Sequence, residues 1–143
     1  MIKRINTINE ERSEALNALY KSCKVFWAFS NSQFEQNRTE LKEGEKYIDI
    51  GHGGYMPKGD VDTLLRGSED IEKTFKQAII DNKQRDAHIL YELNNYEAFL
   101  TTELGPTLDA LGDEYTLEEV TEVYKRCKAL KYAVRNIAVN TVK

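Results

Sequence analysis

The fold is decided by residues 68–104, which read SEDIEKTFKQAIIDNKQRDAHILYELNNYEAFLTTEL and contain neither glycine nor proline. Residues 81–86 are all polar and separate two apolar runs. Each run has the three-and-four spacing that places side chains on one helix face, at Ile71, Phe75, Ala78 and Ile79, then at Ile89, Leu93, Tyr96 and Leu100. The stretch therefore predicts one long helix or two nearly collinear ones, ended by Gly105 and Pro106, with the rest of the chain packed against it.

Length and composition limit the class of protein. A chain of 143 residues has the usual size of one domain, so we expect a single domain over residues 1–143. Hydrophobic residues make up 41% and charged residues 31%, which is typical of a globular protein. No apolar run could cross a membrane, and the amino terminus lacks the hydrophobic segment of a signal peptide. We therefore expect a cytoplasmic protein in which Cys23 and Cys127, at helix-period apolar positions, are small buried hydrophobes.

The net charge of −4 is unevenly distributed along the chain. Residues 51–119 carry 6 basic and 15 acidic side chains, whereas residues 120–143 carry 6 basic and 1 acidic. One interpretation is that the basic last helix lies against the acidic middle of the same molecule; it is favoured, because an acidic protein is repelled by nucleic acid at long range. The other interpretation is contact with nucleic acid through Lys125, Lys128, Lys131 and Arg135.

Capping boxes predict three further helix starts, at residues 7–10, 30–33 and 116–119. The helix after Ser30 should close at Gly44. A short helix over residues 61–66 should stop at Gly67, and Ser68 should cap the long helix. The last capping box precedes the most regular apolar helical pattern of the chain.

Three short segments predict a sheet. Residues 25–29 form a dense aromatic and β-branched run that suits a short buried strand, and residues 46–50 alternate in the manner of a strand. Residues 54–57 are expected as an edge strand that ends at Pro57. The predicted fold is α+β, predominantly helical, with the helices packed on a small two- or three-stranded antiparallel sheet.

Residues 51–58 read GHGGYMPK and superficially resemble a phosphate-binding loop. A Walker loop requires Gly-Lys-Ser/Thr opening into a helix, whereas here Lys58 precedes Gly59 and Asp60. A hairpin turn that needs positive φ angles is the favoured interpretation, and anion binding stays open. His52, Tyr55 and Lys58 are the candidate binding residues of this loop.

Residues 91–97 read YELNNYE, the most unusual local composition of the chain. Paired asparagines between tyrosines suggest side chains held for hydrogen bonding to a partner, the sheet or the glycine loop. The alternatives are a solvated helix face, or a buried polar network that joins helix and sheet. The candidate binding residues here are Tyr91, Glu92, Asn94, Asn95 and Tyr96.

Catalytic and metal-binding patterns are weak. His88 and Glu92 are four residues apart and could supply two metal ligands, but two are too few, and they read more simply as a helix-surface pair. Serine, histidine and aspartate form no arguable triad, and the cysteines lack an electropositive setting. We therefore predict no catalytic residue, no metal site and no cofactor.

Four segments, read in order along the chain, resemble small uncharacterised proteins carried by bacterial phages and mobile elements. They are residues 26–34 (FWAFSNSQF), 47–58 (YIDIGHGGYMPK), 90–97 (LYELNNYE) and 108–112 (LDALG), so the resemblance spans roughly residues 25–127. Asn95 and Tyr96 stand where such relatives are expected to have Asn-His, so no histidine site is carried over. The resemblance implies a setting in the bacterial host cytosol, where small phage proteins without enzymatic motifs often block host proteins, including immune effectors such as CRISPR nucleases.

The predicted function is that of a non-enzymatic protein-binding protein, encoded by a phage and inhibiting a bacterial defence or another host factor. Its partner would contact the glycine loop and the face formed by residues 91–97, where tyrosines bury area at low entropic cost. The alternative is a nucleic-acid-binding accessory protein that uses the basic last helix, and a small metal-dependent or nucleotide-binding enzyme comes third. No membrane partner is expected, and a homo-oligomer stays open.

Overall fold

The computed structural model describes the backbone of residues 2–141 and the side chains of residues 2–131. The strands are β1 (Phe26–Trp27), β2 (Tyr47–Gly51) and β3 (Gly54–Pro57), and a 3-10 turn follows at Lys58–Asp60. The helices are α1 (Ile5–Ser22), α2 (Asn31–Asn37), α3 (Val61–Asp81), α4 (Arg85–Asn95), α5 (Ala98–Thr101), α6 (Gly105–Leu111) and α7 (Leu117–Thr141). This arrangement confirms the predicted α+β, predominantly helical fold.

The chain packs as two compact units. The sheet unit is Asn6–Ala78, and the helical unit consists of Met1–Ile5 together with Ile79–Lys143. Helix α3 begins in the sheet unit and ends in the helical unit. The single domain expected from chain length stays a prediction. Within the described residues, no helix has the length and apolarity required to cross a bilayer.

The sheet unit contains a three-stranded antiparallel sheet in the order β1-β3-β2. The prediction of residues 54–57 as an edge strand was wrong, because β3 pairs with β2 through the hairpin and with β1 on its other side. One sheet face carries a cluster of four aromatic rings with centroids 5.1–5.7 Å apart. Edge and stacked ring contacts of this kind fix the sheet on α2; the rings belong to Phe26, Phe34, Tyr47 and Tyr55.

Helix α2 begins as predicted and ends early. The Ser30 hydroxyl accepts the Gln33 amide at 3.1 Å, which confirms Ser30 as the cap. The predicted extension to Gly44 was wrong: α2 ends at Asn37, whose side-chain amide donates to the Trp27 carbonyl at 2.8 Å. Arg38 then leaves the helix with φ −56° and ψ 140°.

Helices α1 and α3 pack against each other in the sheet unit. Thr7 does not cap α1 as predicted, because the helix already begins at Ile5. The predicted stop at Gly67 and restart at Ser68 were also wrong, since α3 is continuous through both. Gly67 is instead a packing position: a Cβ there would lie 2.6 Å from the Leu19 Cδ1 atom, so glycine makes room for the Leu19 side chain against α3.

Residues 68–104, predicted as one long helix or two nearly collinear ones, are interrupted twice, and the first break lies in the polar run 81–86. It stops after Asp81, where Lys83 adopts φ 54°, the Gln84 amide donates to the Ile79 carbonyl and the Lys83 amide donates to the Ile80 carbonyl. This is the Schellman hydrogen-bond pattern, here with lysine at the left-handed position. The second break follows Asn95, where Glu97 adopts φ 55°.

The helical unit is held by an apolar core. Helix α6 begins at Gly105, so Gly105 and Pro106 start a helix rather than ending one. The Thr116 capping box is confirmed: the Thr116 hydroxyl accepts the Glu119 amide at 3.2 Å, and the Glu119 carboxylate accepts the Thr116 amide at 3.4 Å. Tyr96 and Leu100, predicted on the apolar face, are exposed. The core consists of Ile89, Leu93, Ala98, Leu111, Tyr115, Val120, Val123 and Tyr124.

Both cysteines are free thiols. Cys23 is buried as predicted, and Cys127 packs against the core of the helical unit while staying partly exposed. Each therefore contributes as a small apolar side chain.

Candidate functional site

The glycine loop is a tight hairpin turn. His52 and Gly53 have φ angles of 52° and 79°, the positive pair that a type I′ turn requires. The register shifts between Asp49 and Gly51, so Ile50 is the extra residue of a bulge. The Gly51 amide donates to the Asp49 carboxylate at 2.8 Å. The loop therefore has the hairpin geometry favoured in the sequence analysis.

Two large aromatic side chains lie on the glycines of this hairpin. A Cβ at Gly53 would lie 2.5 Å from the Phe29 ring, and a Cβ at Gly54 would lie 2.7 Å from the Trp27 ring and 2.8 Å from Ile50 Cγ1. These three side chains are nonetheless 76% (Phe29), 46% (Trp27) and 37% (Ile50) exposed. We call Trp27, Phe29 and Ile50 the aromatic patch.

An open pocket of about 590 Å³ adjoins the aromatic patch. Its backbone is fixed by the start of α2, because the Phe29 amide donates to the Gln33 side chain at 2.8 Å. The Tyr55 ring in its wall makes an edge contact with the Phe34 ring, and the two ring centroids are 5.1 Å apart. The lining carries no charged side chain and consists of Ala28, Phe29, Ser30, Asn31, Phe34, Gly53 and Tyr55.

The predicted loop residues have different positions. Tyr55 lines the pocket, whereas His52 is exposed at the tip of the turn. Lys58 is exposed after β3, and its backbone amide donates to the Lys46 carbonyl at 2.9 Å. The aromatic patch itself was missed, because residues 25–29 were predicted as buried throughout. Strand alternation, which buries Phe26 and Ala28 and exposes Trp27 and Phe29, was the signal that could have found it.

The second predicted surface, residues 91–97, lies in the helical unit, whereas the hairpin lies in the sheet unit. Tyr91, Asn94, Asn95 and Tyr96 are exposed around the end of α4. Glu92 is partly buried, and its backbone carbonyl accepts the Thr107 hydroxyl at 3.4 Å and the Tyr96 amide at 3.0 Å. These contacts anchor the helix end and leave the tyrosines and asparagines at the surface.

The basic residues of α7 are partly engaged within the helical unit. The Lys131 ammonium lies 3.4 Å from the Asn94 side-chain oxygen and 4.0 Å from the Phe99 ring centroid. Lys128 lies 5.6 Å from the Tyr124 ring centroid, and Lys125 is exposed. Lys131, a predicted nucleic-acid contact, thus contacts Asn94, a predicted protein-binding residue. The side chain of Arg135 lies outside the described residues.

Arg126, on the same helix, forms an ion pair with Asp86 at 3.0 Å. This contact joins the basic last helix to the acidic middle of the chain, as the internal interpretation of the charge distribution expects. Both side chains are largely exposed, so the pair adds little stability.

The most tightly connected polar group centres on His88. The prediction of a helix-surface pair with Glu92 was wrong for His88, which is buried and shares a 2.7 Å hydrogen bond between its Nδ1 atom and the Tyr115 hydroxyl. The Arg85 guanidinium covers the Tyr115 ring at 4.1 Å. Its Nη2 also donates to Glu119 at 2.8 Å and to the Glu114 carbonyl at 2.6 Å. The cluster therefore ties α4 to the start of α7.

The same contacts shift three pKa values. The hydrogen bond between Arg85 and Glu119 raises the pKa of the guanidinium and lowers the pKa of the carboxyl. Burial raises the pKa of the Tyr115 phenol, against the opposing effect of the nearby Arg85 charge. Among the described residues, no group of three or more histidine, cysteine, aspartate and glutamate side chains is placed to hold a metal ion.

Comparison with known proteins identifies a family. No curated protein and no solved structure matches the chain significantly. A model of a family of unknown function, DUF7659, matches residues 4–136, which includes both units almost completely. The chain therefore belongs to this family of unknown function, DUF7659.

Proposed function

We propose that this protein is a non-enzymatic protein-binding protein whose contact surface is the aromatic patch and its pocket. The observation that carries the proposal is the exposure of Trp27 and Phe29, whose rings lie against the adjacent residues Gly54 and Gly53 of a hairpin of fixed geometry. Large aromatic side chains that remain exposed on a rigid scaffold mark interaction sites, and such residues dominate binding energy in protein interfaces.

The shape of the surface supports a preformed site. The turn geometry, the cap of α2 and the ring contacts of Tyr55 hold the patch and pocket without a partner. Little conformational entropy is then lost when a partner binds. The uncharged lining favours an apolar side chain of the partner in the pocket rather than an ionic contact.

The setting we propose follows from the resemblance to small proteins of phages and mobile elements. In that setting the partner is a host protein in the bacterial cytosol, and binding inhibits a defence system, in the manner of an anti-CRISPR protein, or another host factor. Inhibition then requires only that the patch covers a functional surface of the partner, and it needs no catalytic residue on this chain.

Affinity capture from a bacterial lysate tests the proposal. The tagged full chain is compared with Trp27→Ala/Phe29→Ala and with Leu65→Ala, which removes an exposed leucine of α3 that does not line the pocket. We expect a stoichiometric protein partner with the wild type and with Leu65→Ala, and its loss with the double variant. Circular dichroism checks that all three proteins are folded. A partner retained equally by the double variant would contradict the proposed surface.

One observation favours nucleic-acid binding as a second candidate. Within the described side chains, Lys125, Lys128 and Lys131 have no carboxylate partner. Nuclease treatment of the lysate separates the two functions, because it removes only a nucleic-acid-dependent capture. Capture that nuclease abolishes, that weakens steeply with salt and that is lost in Lys128→Ala/Lys131→Ala would support the second candidate.

A further inference from the structure

A second cavity lies between α1 and α3 of the sheet unit and shares no lining residue with the patch pocket. Its volume is about 160 Å³. Two of its walls, Ile8 and Phe75, are buried side chains. The remaining lining is Glu11, Arg12, Ala15, Ile71, Thr74 and Ala78.

The packing of the two helices explains the cavity. The helices run antiparallel, since Leu19 meets Gly67 at one end and Arg12 meets Glu72 further along. The Leu19 side chain packs directly on Gly67 at the first contact, whereas the small side chains of Ala15 and Ala78 leave space beyond it. The space is partly open to solvent, because Glu11 and Thr74 in its lining are exposed.

The polar groups around the cavity are already satisfied. The Arg12 guanidinium donates to the Glu72 carboxylate from Nε at 2.8 Å and from Nη2 at 2.5 Å, and it covers the Phe75 ring at 4.8 Å. The Thr74 hydroxyl donates to the Asp70 carbonyl at 2.9 Å, and Glu11 also has an interaction partner. The lining therefore offers no free charge to pair with an ionised ligand, and removing such a ligand from water would be costly.

We propose that this cavity binds a small neutral molecule about the size of one aromatic ring. Cavities of about 150 Å³ lined by aliphatic and aromatic side chains bind benzene or xenon. The cavity matches this size and has Phe75 and two isoleucines in its walls. The site is independent of the protein-binding function, because it needs no macromolecular partner.

Titration of the isotope-labelled full chain with benzene, followed by amide chemical shifts in NMR spectra, tests this proposal. We expect saturable shifts at Ala15, Ile71 and Ala78, and none with benzoate, which carries the same ring and a charge. Ala78→Leu should abolish the benzene shifts by filling the cavity. Ala110→Leu, which adds the same atoms at an exposed position of α6, should retain them.

Three results would overturn the proposal: no saturable benzene shift in the wild type, shifts retained in the filled variant, or benzoate binding as tightly as benzene. If Ala78→Leu does not fold, Ala15→Leu fills the same cavity from the other helix. If neither folds, the chemical shift of dissolved ¹²⁹Xe with the wild-type protein decides. Exchange of xenon with the cavity should move this chemical shift. An unchanged chemical shift would mean that xenon does not enter the cavity, and it would overturn the proposal.

Discussion

Replacing Gly54 by alanine should disturb the aromatic patch directly. Gly54 has no positive φ angle, so alanine is allowed by the backbone, and the effect of the substitution comes from contacts alone. The added Cβ would lie 2.7 Å from the Trp27 ring and 2.8 Å from Ile50. Because carbon atoms prefer separations of about 3.5–4.0 Å, each side chain must move by roughly 1 Å.

Overpacking of this kind costs about 1–3 kcal/mol in the free energy of unfolding, and we expect the lower half of that range because both neighbours are partly exposed. Urea denaturation measures the loss. Trp27 is the only tryptophan of the chain, so its fluorescence emission reports the displacement of the patch itself. Ile50→Ala in the Gly54→Ala background should recover part of the loss, because it removes one of the two clashes.

Gly105→Ala is the matched control. A Cβ at Gly105 meets nothing within 4 Å, so this variant should be neutral or more stable by up to about 1 kcal/mol. The reasoning would be refuted if Gly54→Ala had the stability and the Trp27 emission of the wild type.

Three further predictions concern the cluster around His88. Tyr115→Phe removes the hydrogen bond to the buried imidazole and should lower the free energy of unfolding by about 1–3 kcal/mol in urea denaturation; an unchanged value would contradict a stabilising role. The Arg85 hydrogen bond lowers the pKa of Glu119 from its ordinary 4.5. The ionised Glu119 carboxylate therefore stabilises the fold above pH 4.5, and this stabilisation is lost as the pH falls through the lowered pKa of the folded state. Glu119→Gln should therefore flatten the acid side of the stability curve, and an equally steep curve would refute this. Burial raises the pKa of Tyr115 above its ordinary 10.0, so its contribution is present below pH 10 and lost as pH rises through the folded value. Alkaline absorbance titration should show a late-ionising phenol that Tyr115→Phe removes; a late phase left unchanged by this substitution would contradict the prediction.

Local sequence rules succeeded where a short-range hydrogen bond decides the structure. The caps at Ser30 and Thr116 use a hydroxyl and an amide three residues apart, so neighbouring residues suffice to predict them. The hairpin was also predictable, because its turn needs two residues that tolerate positive φ angles.

Helix ends were less predictable where the terminal residue carries no stop signal. Lys83 adopts a φ angle of 54° at the end of α3, where glycine is the usual residue. Gly67, the residue that does look like a stop, lies inside α3 because Leu19 packs against it.

The candidate binding surfaces show the same division between what the sequence predicts and what it does not. The sequence alone pointed to the hairpin and to residues 91–97, since unusual local composition is visible without coordinates. It missed the aromatic patch, because residues 25–29 were predicted as buried throughout, whereas Trp27 pairs with Gly54 of β3 and stays exposed, as does Phe29.

By itself the sequence determined the fold class, the caps at Ser30 and Thr116 and the hairpin turn, all of which follow from apolar periodicity and contacts between near neighbours. Only the tertiary structure decided the place of β3 at the sheet centre, the burial of His88 against Tyr115 and the cavity between α1 and α3. These features depend on contacts between residues far apart in the chain, and the free energy of such contacts comes from shape and burial rather than from any local pattern.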